Sequence, residues 1–485
     1  MEPTRARRRV WLPLAGTPLL LAAFAIALQT QLSVTRRLDG ATAAAWFAVA
    51  ALVFLVGLAL TRRSGVLEWG NLPLRAPDAA AAYSATAPSS GAALSAAGIR
   101  LRPALAALGL GAVTFALSGG NRFTALNVAT WVLSVACAFA ACWEGRPIAL
   151  SRVWLAALTR RGVSVRVPWH AVALAAILAL GAFFLFYRIY DVPREMTSDH
   201  AEKLYDVRDV LDGQHRIFFP RNTGREAFQF YWIALMTPLT GVSYLTMKLG
   251  TALIAFGALP FTYLLARTFF GTQQALLTTL VLSCTRWLWQ VARVGLRFPF
   301  PPLFGAATFH FLMRGIRDRR RNDFLLCGLA LGAAQHTYTA LRLAPLAVLG
   351  CVAVAAADDV WRRRSSERAI RLAINTGLLA LVALLVFMPL ARYAVDEPQT
   401  FLFRGMSRVA SDSTDRPPRD LLGVFLVNVK NALLMFNWRG DVVWVNTIPG
   451  ERMLDPVSGA LFLLGCVYGV YRLVRFRELP FLYLF

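Results

Sequence analysis

Charge is what this sequence has least of. Only 16% of its 485 residues are Asp, Glu, Lys or Arg, against 57% hydrophobic. A soluble chain of this length carries more. Acidic residues are the scarcer sign, 27 against 51 Lys and Arg, for a net charge of +24. An excess pooled on one soluble face would point to nucleic acid. Here the Arg residues punctuate the gaps between apolar runs, as orientation signals do, which excludes a nucleic-acid partner. Cysteine is sparse as well. Cys137, Cys142, Cys284, Cys327, Cys351 and Cys466 sit in or beside apolar runs without metal-type spacing, so they read as small core residues with no disulfide framework. No glycine-rich nucleotide-phosphate loop and no soluble nucleotide-sugar domain is visible. No internal repeat and no mid-span concentration of charge marks the chain as a transporter.

What the sequence has is apolar runs of bilayer length, which make it an integral membrane protein, all-α and polytopic, with about 12–13 transmembrane helices. A basic start with Arg5, Arg7, Arg8 and Arg9 leads into an apolar run to about residue 29. Ala25-Ile26-Ala27 resembles a signal-peptidase site, but the run is long for a cleaved signal and reads as a retained first span. A second span covers about 41–60. Residues 64–98, rich in Ala, Ser, Pro and Gly, read as a flexible linker. Spans near 103–119 and 123–142 complete an N-terminal membrane region, 1–170. The second region, 171–485, has spans near 171–188, 244–266, 274–290, 298–313, 323–340, 343–357, 372–391 and 457–471, with outer loops at 189–243 and 392–456. Residues 480–485 look like the start of another span, so the chain reads as truncated at its C-terminus.

Alternating these spans places the Arg-rich gaps at 143–170, 314–321, 359–371 and 472–477 on one side, which the positive-inside rule makes cytoplasmic. The 189–243 loop, the 336–342 turn and the 392–456 segment then share the outer side. The chain reads as a multipass protein of the plasma (inner) membrane, with its site on the extracytoplasmic face.

Asp191, Glu195, Asp199, Glu202, Asp206, Asp209, Asp212 and Glu226 all fall within 189–232. A polar loop between two spans keeps ionised groups out of lipid, so this loop is expected to carry the chemistry. The spacing of Asp199, Glu202, Asp206 and Asp209 predicts one acidic face of an amphipathic helix over 199–211, lying at the membrane surface, with Leu204, Val207, Val210 and Leu211 opposite. Asp212-Gly213 would end it. Asp206 and Asp209 read as a solvated face. Ser198-Asp199 at a helix start is also a capping signature, so cap and catalyst weigh evenly for Asp199.

The stretches Ser198-Asp199-His200-Ala201-Glu202-Lys203-Leu204-Tyr205 and Arg225-Glu226-Ala227-Phe228-Gln229-Phe230-Tyr231-Trp232 resemble the first outer loop of the GT-C superfamily of membrane glycosyltransferases. They are most similar to glycosyltransferase family 39, which includes protein O-mannosyltransferases and the aminoarabinose transferases of lipid A. Val291 to Arg297, His336 to Pro345, and Gly440-Asp441 through Asn446-Thr447-Ile448-Pro449-Gly450 to Leu454-Asp455-Pro456 look like bacterial members. The resemblance covers about 171–485 and not 1–170. His200 stands where the family usually has Glu, and Ala227-Phe228 where Pro-Pro is common.

The resemblance implies transfer of a sugar from a polyprenyl-phosphate-linked donor to an acceptor hydroxyl on a protein, lipid or glycan, with inversion. It makes Asp199 the expected base, with Glu202 and Glu226 as further catalytic carboxylates. Arg293, Arg297 and Arg342 are expected to bind the donor phosphate; interfacial snorkelling is the competing reading of each. His200, His336 and Tyr338 are expected substrate contacts. No cofactor is firmly implied; a divalent metal, for which Glu226 and His336 are weak candidates, is left open, as is a hydrogen-bonding role for that pair. Asp441 and Asp455 read as turn and cap residues. The competing function is a transporter or flippase for a lipid-linked sugar.

Overall fold

The structure is a computed structural model that describes residues 3–35, 39–63, 98–145, 167–409, 421–444, 448–477 and 479–484. The linker at 64–98, apart from its last residue, lies outside these, as do Arg146, Arg152, Arg160, Arg161, Arg166, Asp412, Asp415, Pro417, Pro418, Asn446 and Thr447. The described residues form 17 α-helices and one two-residue strand pair. The expected all-α polytopic membrane fold is what is seen.

In chain order the helices are α1 Pro3–Thr35, α2 Gly40–Arg63, α3 Leu101–Leu117, α4 Ala125–Cys142, α5 Trp169–Phe186, α6 Ser198–Leu211, α7 Phe228–Thr240, α8 Tyr244–Phe270, α9 Thr272–Cys284, α10 Arg286–Arg293, α11 Phe300–Asp318, α12 Arg321–Gln335, α13 Ala344–Ala357, α14 Ser366–Asp396, α15 Pro398–Val409, α16 Leu421–Leu434 and α17 Pro456–Phe476. Among the described residues, eight helical stretches are long and apolar enough to cross a membrane; α3 and α16 are apolar but shorter. Apolar runs in the sequence outnumber these stretches, because one run need not form one long helix. The run at 274–290 divides at Thr285 into α9 and α10, and α12 has 15 residues. The outer loops are also less loop-like than expected: α7 lies within 189–243, and α15 and α16 lie within 392–456.

The contacts sort the chain into two compact units. The first draws on residues 1–72, 285–290 and 420–485. Its α1, α2 and α17 meet over Ala27, Ala50, Ala460 and Leu464. Small side chains let helix backbones approach closely where lipid offers no hydrophobic drive to association.

The second unit draws on residues 73–284 and 291–419. The α3–α4 hairpin packs onto α12 and α14 through Ala107, Ala138, Leu325, Leu378, Val382 and Leu385. Where α12 crosses α14, Gly328 and Gly332 face it. A Cβ on Gly328 would stand 2.5 Å from the Leu379 carbonyl, and one on Gly332 would stand 2.6 Å from the Val386 Cβ. That glycine spacing brings the two backbones into direct contact. The hairpin also reaches the outer loop. Asn121, between α3 and α4, accepts from Phe218 N at 2.8 Å and donates to Phe218 O at 2.7 Å.

Candidate active site

The site is built on two strands of two residues each. β1 (Phe218–Phe219) pairs antiparallel with β2 (Arg225–Glu226), Phe218 opposite Glu226 and Phe219 opposite Arg225. Successive side chains of a strand point to opposite sides. Arg225 and Glu226, both fully buried, therefore serve two separate charge clusters.

On one side, Arg225 meets three carboxylates of α6: Glu202 at 2.6 Å, and Asp199 and Asp206 at 3.3 Å each. Arg221 closes the cluster, binding Asp206 at 2.7 Å and Asp209 at 2.5 Å. The acidic face is thus not the solvated one expected. Asp206 is wholly buried, and Asp209 is largely covered. The 218–226 segment folds back over α6 and supplies the cations that make burial of these carboxylates tolerable. Burial still raises the Asp206 carboxyl above the ordinary value, against the pull of Arg221 and Arg225. Val207 and Val210 pack on Phe219, Ala227, Phe230 and Ile233, while Leu211 is exposed.

The helix start differs as well. Thr197, not Ser198-Asp199, is the N-cap, in a reciprocal capping box with the His200 ring. Thr197 N donates to His200 Nδ1 at 3.0 Å, and His200 Nε2 donates to the Val294 carbonyl at 2.7 Å. Both ring nitrogens of this neutral imidazole are bonded, which leaves none for a substrate. Burial holds its pKa below the ordinary value. His200 ties α6 to the 294–295 turn, where Gly295 takes φ +81 and a Cβ would press on Met247 and Tyr244 at 3.3 Å.

Asp199 is freed from capping, and its side chain is 44% exposed. Burial raises its carboxyl, but Lys203, Arg225 and Arg404 and a hydrogen bond from Asn222 outweigh that and hold it below the ordinary value. Arg404, on α15, donates to Asn222 O at 3.0 Å and to Thr223 Oγ1 at 3.2 Å. Lys203 Nζ lies 3.6 Å from Asp199 Oδ2 and donates to the Asp199 carbonyl at 3.0 Å.

Burial first, then repulsion from Arg225, brings Lys203 down to about 7 from 10.5, although Asp199 opposes the change. A lysine with a lowered pKa binds fewer protons folded than unfolded. Its cost to stability is therefore full below about pH 7 and is relieved as pH rises toward 10.5. Lys203→Met is expected to raise the melting temperature most near neutral pH. The gain should shrink on alkalinisation by at most about 1.4 kcal/mol per pH unit. Melting curves of both proteins across this range check it, and a gain independent of pH would mean that Lys203 is not titrating.

On the other side of β2, Glu226 accepts from Arg297 at 2.6 Å, and from Arg342 and Thr339 at 2.9 Å each. Burial raises the Glu226 carboxyl, but the two guanidiniums prevail and hold it below the ordinary value. Two cations face one anion. Arg342 also donates to Phe401 O at 2.7 Å and stacks on the Phe401 ring, while its Nε is buried with no partner among the described residues. Arg297 lies over the Tyr338 ring, 5.3 Å from its centre.

Two of the three arginines expected at a phosphate, Arg297 and Arg342, thus converge. Arg293 does not join them; it donates to the Tyr187 carbonyl at 2.9 Å. His336 bonds the Val386 carbonyl at 2.9 Å and packs between Trp131 and Phe387. Glu226 and His336 do not fit a metal site, because the carboxylate is saturated by Arg297, Arg342 and Thr339. Among the described residues no group of three or more His, Cys, Asp or Glu is arranged to hold a metal ion. Asp455 caps α17, as expected.

Sequence reasoning missed Arg221, Arg225, Lys203, Asn222, Thr339 and Arg404. One signal was present: adjacent opposite charges at 225–226 in an extended segment must face different partners.

Residues 227–393, about a third of the chain, match the family described as Dolichyl-phosphate-mannose-protein mannosyltransferase. Arg297, Tyr338 and Arg342 lie inside the matched segment, whereas Asp199, Glu202 and Glu226 precede it. No curated protein and no solved structure gives a significant match. The family match and the apolar helices support a multipass membrane glycosyltransferase of the GT-C superfamily, mannosyltransferase-like in activity.

Proposed function

We propose that this GT-C glycosyltransferase moves a sugar from a polyprenyl-phosphate-linked donor to an acceptor hydroxyl, with inversion, on the extracytoplasmic face of the plasma membrane. The observation that carries the reading is the junction at Arg225–Glu226. It joins a cluster holding an accessible, ionised carboxylate, Asp199, to a cluster with one guanidinium in excess.

Each cluster suits one half of a single displacement. Asp199 takes the proton of the acceptor hydroxyl while that oxygen bonds the anomeric carbon. The bond from that carbon to the phosphate oxygen breaks, and its electron pair leaves with the polyprenyl phosphate, which gains a negative charge. Arg297 and Arg342 receive that charge, and their planar forks suit a phosphate. One displacement at one carbon inverts it. Exposure favours Asp199 over the buried Glu226 as base; Glu202 is similarly open but is held by Arg225 at 2.6 Å, against 3.3 Å for Asp199. Glu202 supports it through the shared Arg225, and Tyr338 walls the phosphate side. His200, His336 and Arg293 hold backbone and act as positioning residues. The acceptor is a hydroxyl on a protein, lipid or glycan.

The test offers purified protein in lipid the same labelled sugar on a nucleotide and on a polyprenyl phosphate. Label is expected in the acceptor from the lipid-linked donor alone. Transfer from the nucleotide sugar instead, or passage of intact lipid-linked sugar across the bilayer without transfer, contradicts the reading.

A further inference from the structure

The first unit buries cations that the transfer reaction does not use. Arg452, 7% exposed, donates to the Gln31 carbonyl at 2.5 Å. Gln31, itself fully buried, exchanges two hydrogen bonds with Asn437, Nε2 to Asn437 O at 2.7 Å and Asn437 Nδ2 to Oε1 at 2.9 Å. Asn437 also donates to the Gly459 carbonyl at 2.8 Å. Arg286, at the start of α10, donates to the carbonyl of Arg452 at 2.7 Å. Each guanidinium is thus fixed by an uncharged backbone carbonyl, and the two lie near enough for the Arg286 charge to act on Arg452.

Neither has an ion-pair partner among the described residues. Asp455 caps α17 through Oδ1, accepting from Val457 N and Ser458 N at 3.0 Å each, and makes no ion pair with Arg452. Glu451 is near enough for its charge to weigh on Arg452 but makes no ion pair with it. Burial first, and the Arg286 charge after it, press against the ionised state of Arg452 and outweigh the opposing pull of Glu451 and Asp455. Two adjacent, partly desolvated guanidiniums without a bonded anion are costly, and a planar oxyanion is what their free donors fit.

The surroundings say what carries that anion. Arg452 stands at the base of a loop closed by Gly450 N donating to Asp441 O at 2.9 Å. The loop exposes Val442, Trp444 and Ile448, each by more than half. Within the same unit α16 exposes Leu422, Phe425, Leu426 and Leu433. A tryptophan and aliphatic side chains beside arginines are the composition of a bilayer interface.

We infer that Arg286 and Arg452 bind the phosphate of an anionic phospholipid headgroup whose acyl chains lie along the exposed apolar side chains of this unit. Arg286 and Arg452 belong to the first unit, the carboxylate and arginine clusters to the second, and the lipid site does not depend on the transfer reaction.

The test uses the full chain, delipidated in detergent, with radiolabelled phosphatidylglycerol as probe, phosphatidylcholine as control and inorganic phosphate as competitor. Wild type is expected to retain phosphatidylglycerol in preference to phosphatidylcholine, without displacement by inorganic phosphate. Arg286→Gln and Arg452→Gln should each weaken retention by roughly tenfold or more, the worth of a charged hydrogen bond. Arg439→Gln, on the exposed surface of the same unit, should not. Among the described residues the Arg286 side chain bonds the Arg452 carbonyl alone, so its variant is expected to keep a melting temperature close to wild type and carries the test even if Arg452→Gln unfolds. Unchanged retention in Arg286→Gln, or equal retention of the two lipids, overturns the site. Displacement by inorganic phosphate overturns the lipid as its source.

Discussion

Glu226→Ala is expected to lower the stability of the folded protein by about 3–5 kcal/mol, the cost of breaking a buried ion pair from one side. The substitution removes the one carboxylate that Arg297 and Arg342 share, leaving two buried like charges facing each other. It also strips Thr339 of its acceptor. Glu226→Gln separates the structural loss from the electrostatic one. It keeps an oxygen for one donor while raising the charge of the cluster by one unit. Sugar transfer should fall in both variants. Polyprenyl phosphate should bind Glu226→Gln more tightly, because an excess of two cations now meets the phosphate. Thermal melts and product-inhibition curves measure the two effects. A Glu226→Ala protein that melts with the wild type would show that the arginines do not depend on this carboxylate.

Arg225→Met is expected to have the second largest effect, again about 3–5 kcal/mol. Arg225 is the common partner of Asp199, Glu202 and Asp206. Arg221 still holds Asp206 in the variant, but Asp199 keeps only Lys203, Asn222 and the more distant Arg404. The sign of the pH effect follows from Asp206, whose carboxyl burial already raises. Without Arg225 it rises further above its unfolded value, so the folded state binds the extra proton. The deficit against wild type should therefore narrow on acidification and widen toward neutral pH. Arg225→Lys, a cation without the fork, should recover part of the stability. A deficit of the same size at every pH would mean that the loss comes from packing of the long side chain and not from its charge.

The parts of this molecule that sequence conveys are those that one segment determines by itself. Apolar length announced the spans, and the spacing of Asp199, Glu202, Asp206 and Asp209 located α6 to within a residue. The concentration of acids at 189–232 marked the loop where both charge clusters lie. What stayed hidden depends on partners distant in the chain. Nothing in the α6 pattern says that Asp206 is buried, because the arginines that bury it lie 15 and 19 residues further on. The same holds for the α3–α4 hairpin, whose Asn121 holds Phe218 from 97 residues away. His200 shows a third kind of gap. It stands where the resembling enzymes have Glu and was expected at a substrate. Its ring instead completes a helix cap and reaches a carbonyl 94 residues distant. Periodicity reports which face of a helix prefers burial, not what covers it.

The measurement that tests the account most directly compares wild type with Asp199→Asn for sugar transfer from a polyprenyl-phosphate donor, both proteins purified and reconstituted in lipid. Asparagine keeps the size and one oxygen acceptor of Asp199 but cannot take the acceptor proton. Transfer is expected to fall by about 10²–10⁴-fold, with donor binding and melting temperature close to wild type. Transfer by Asp199→Asn at the wild-type rate would contradict it and move the base to another carboxylate of the loop.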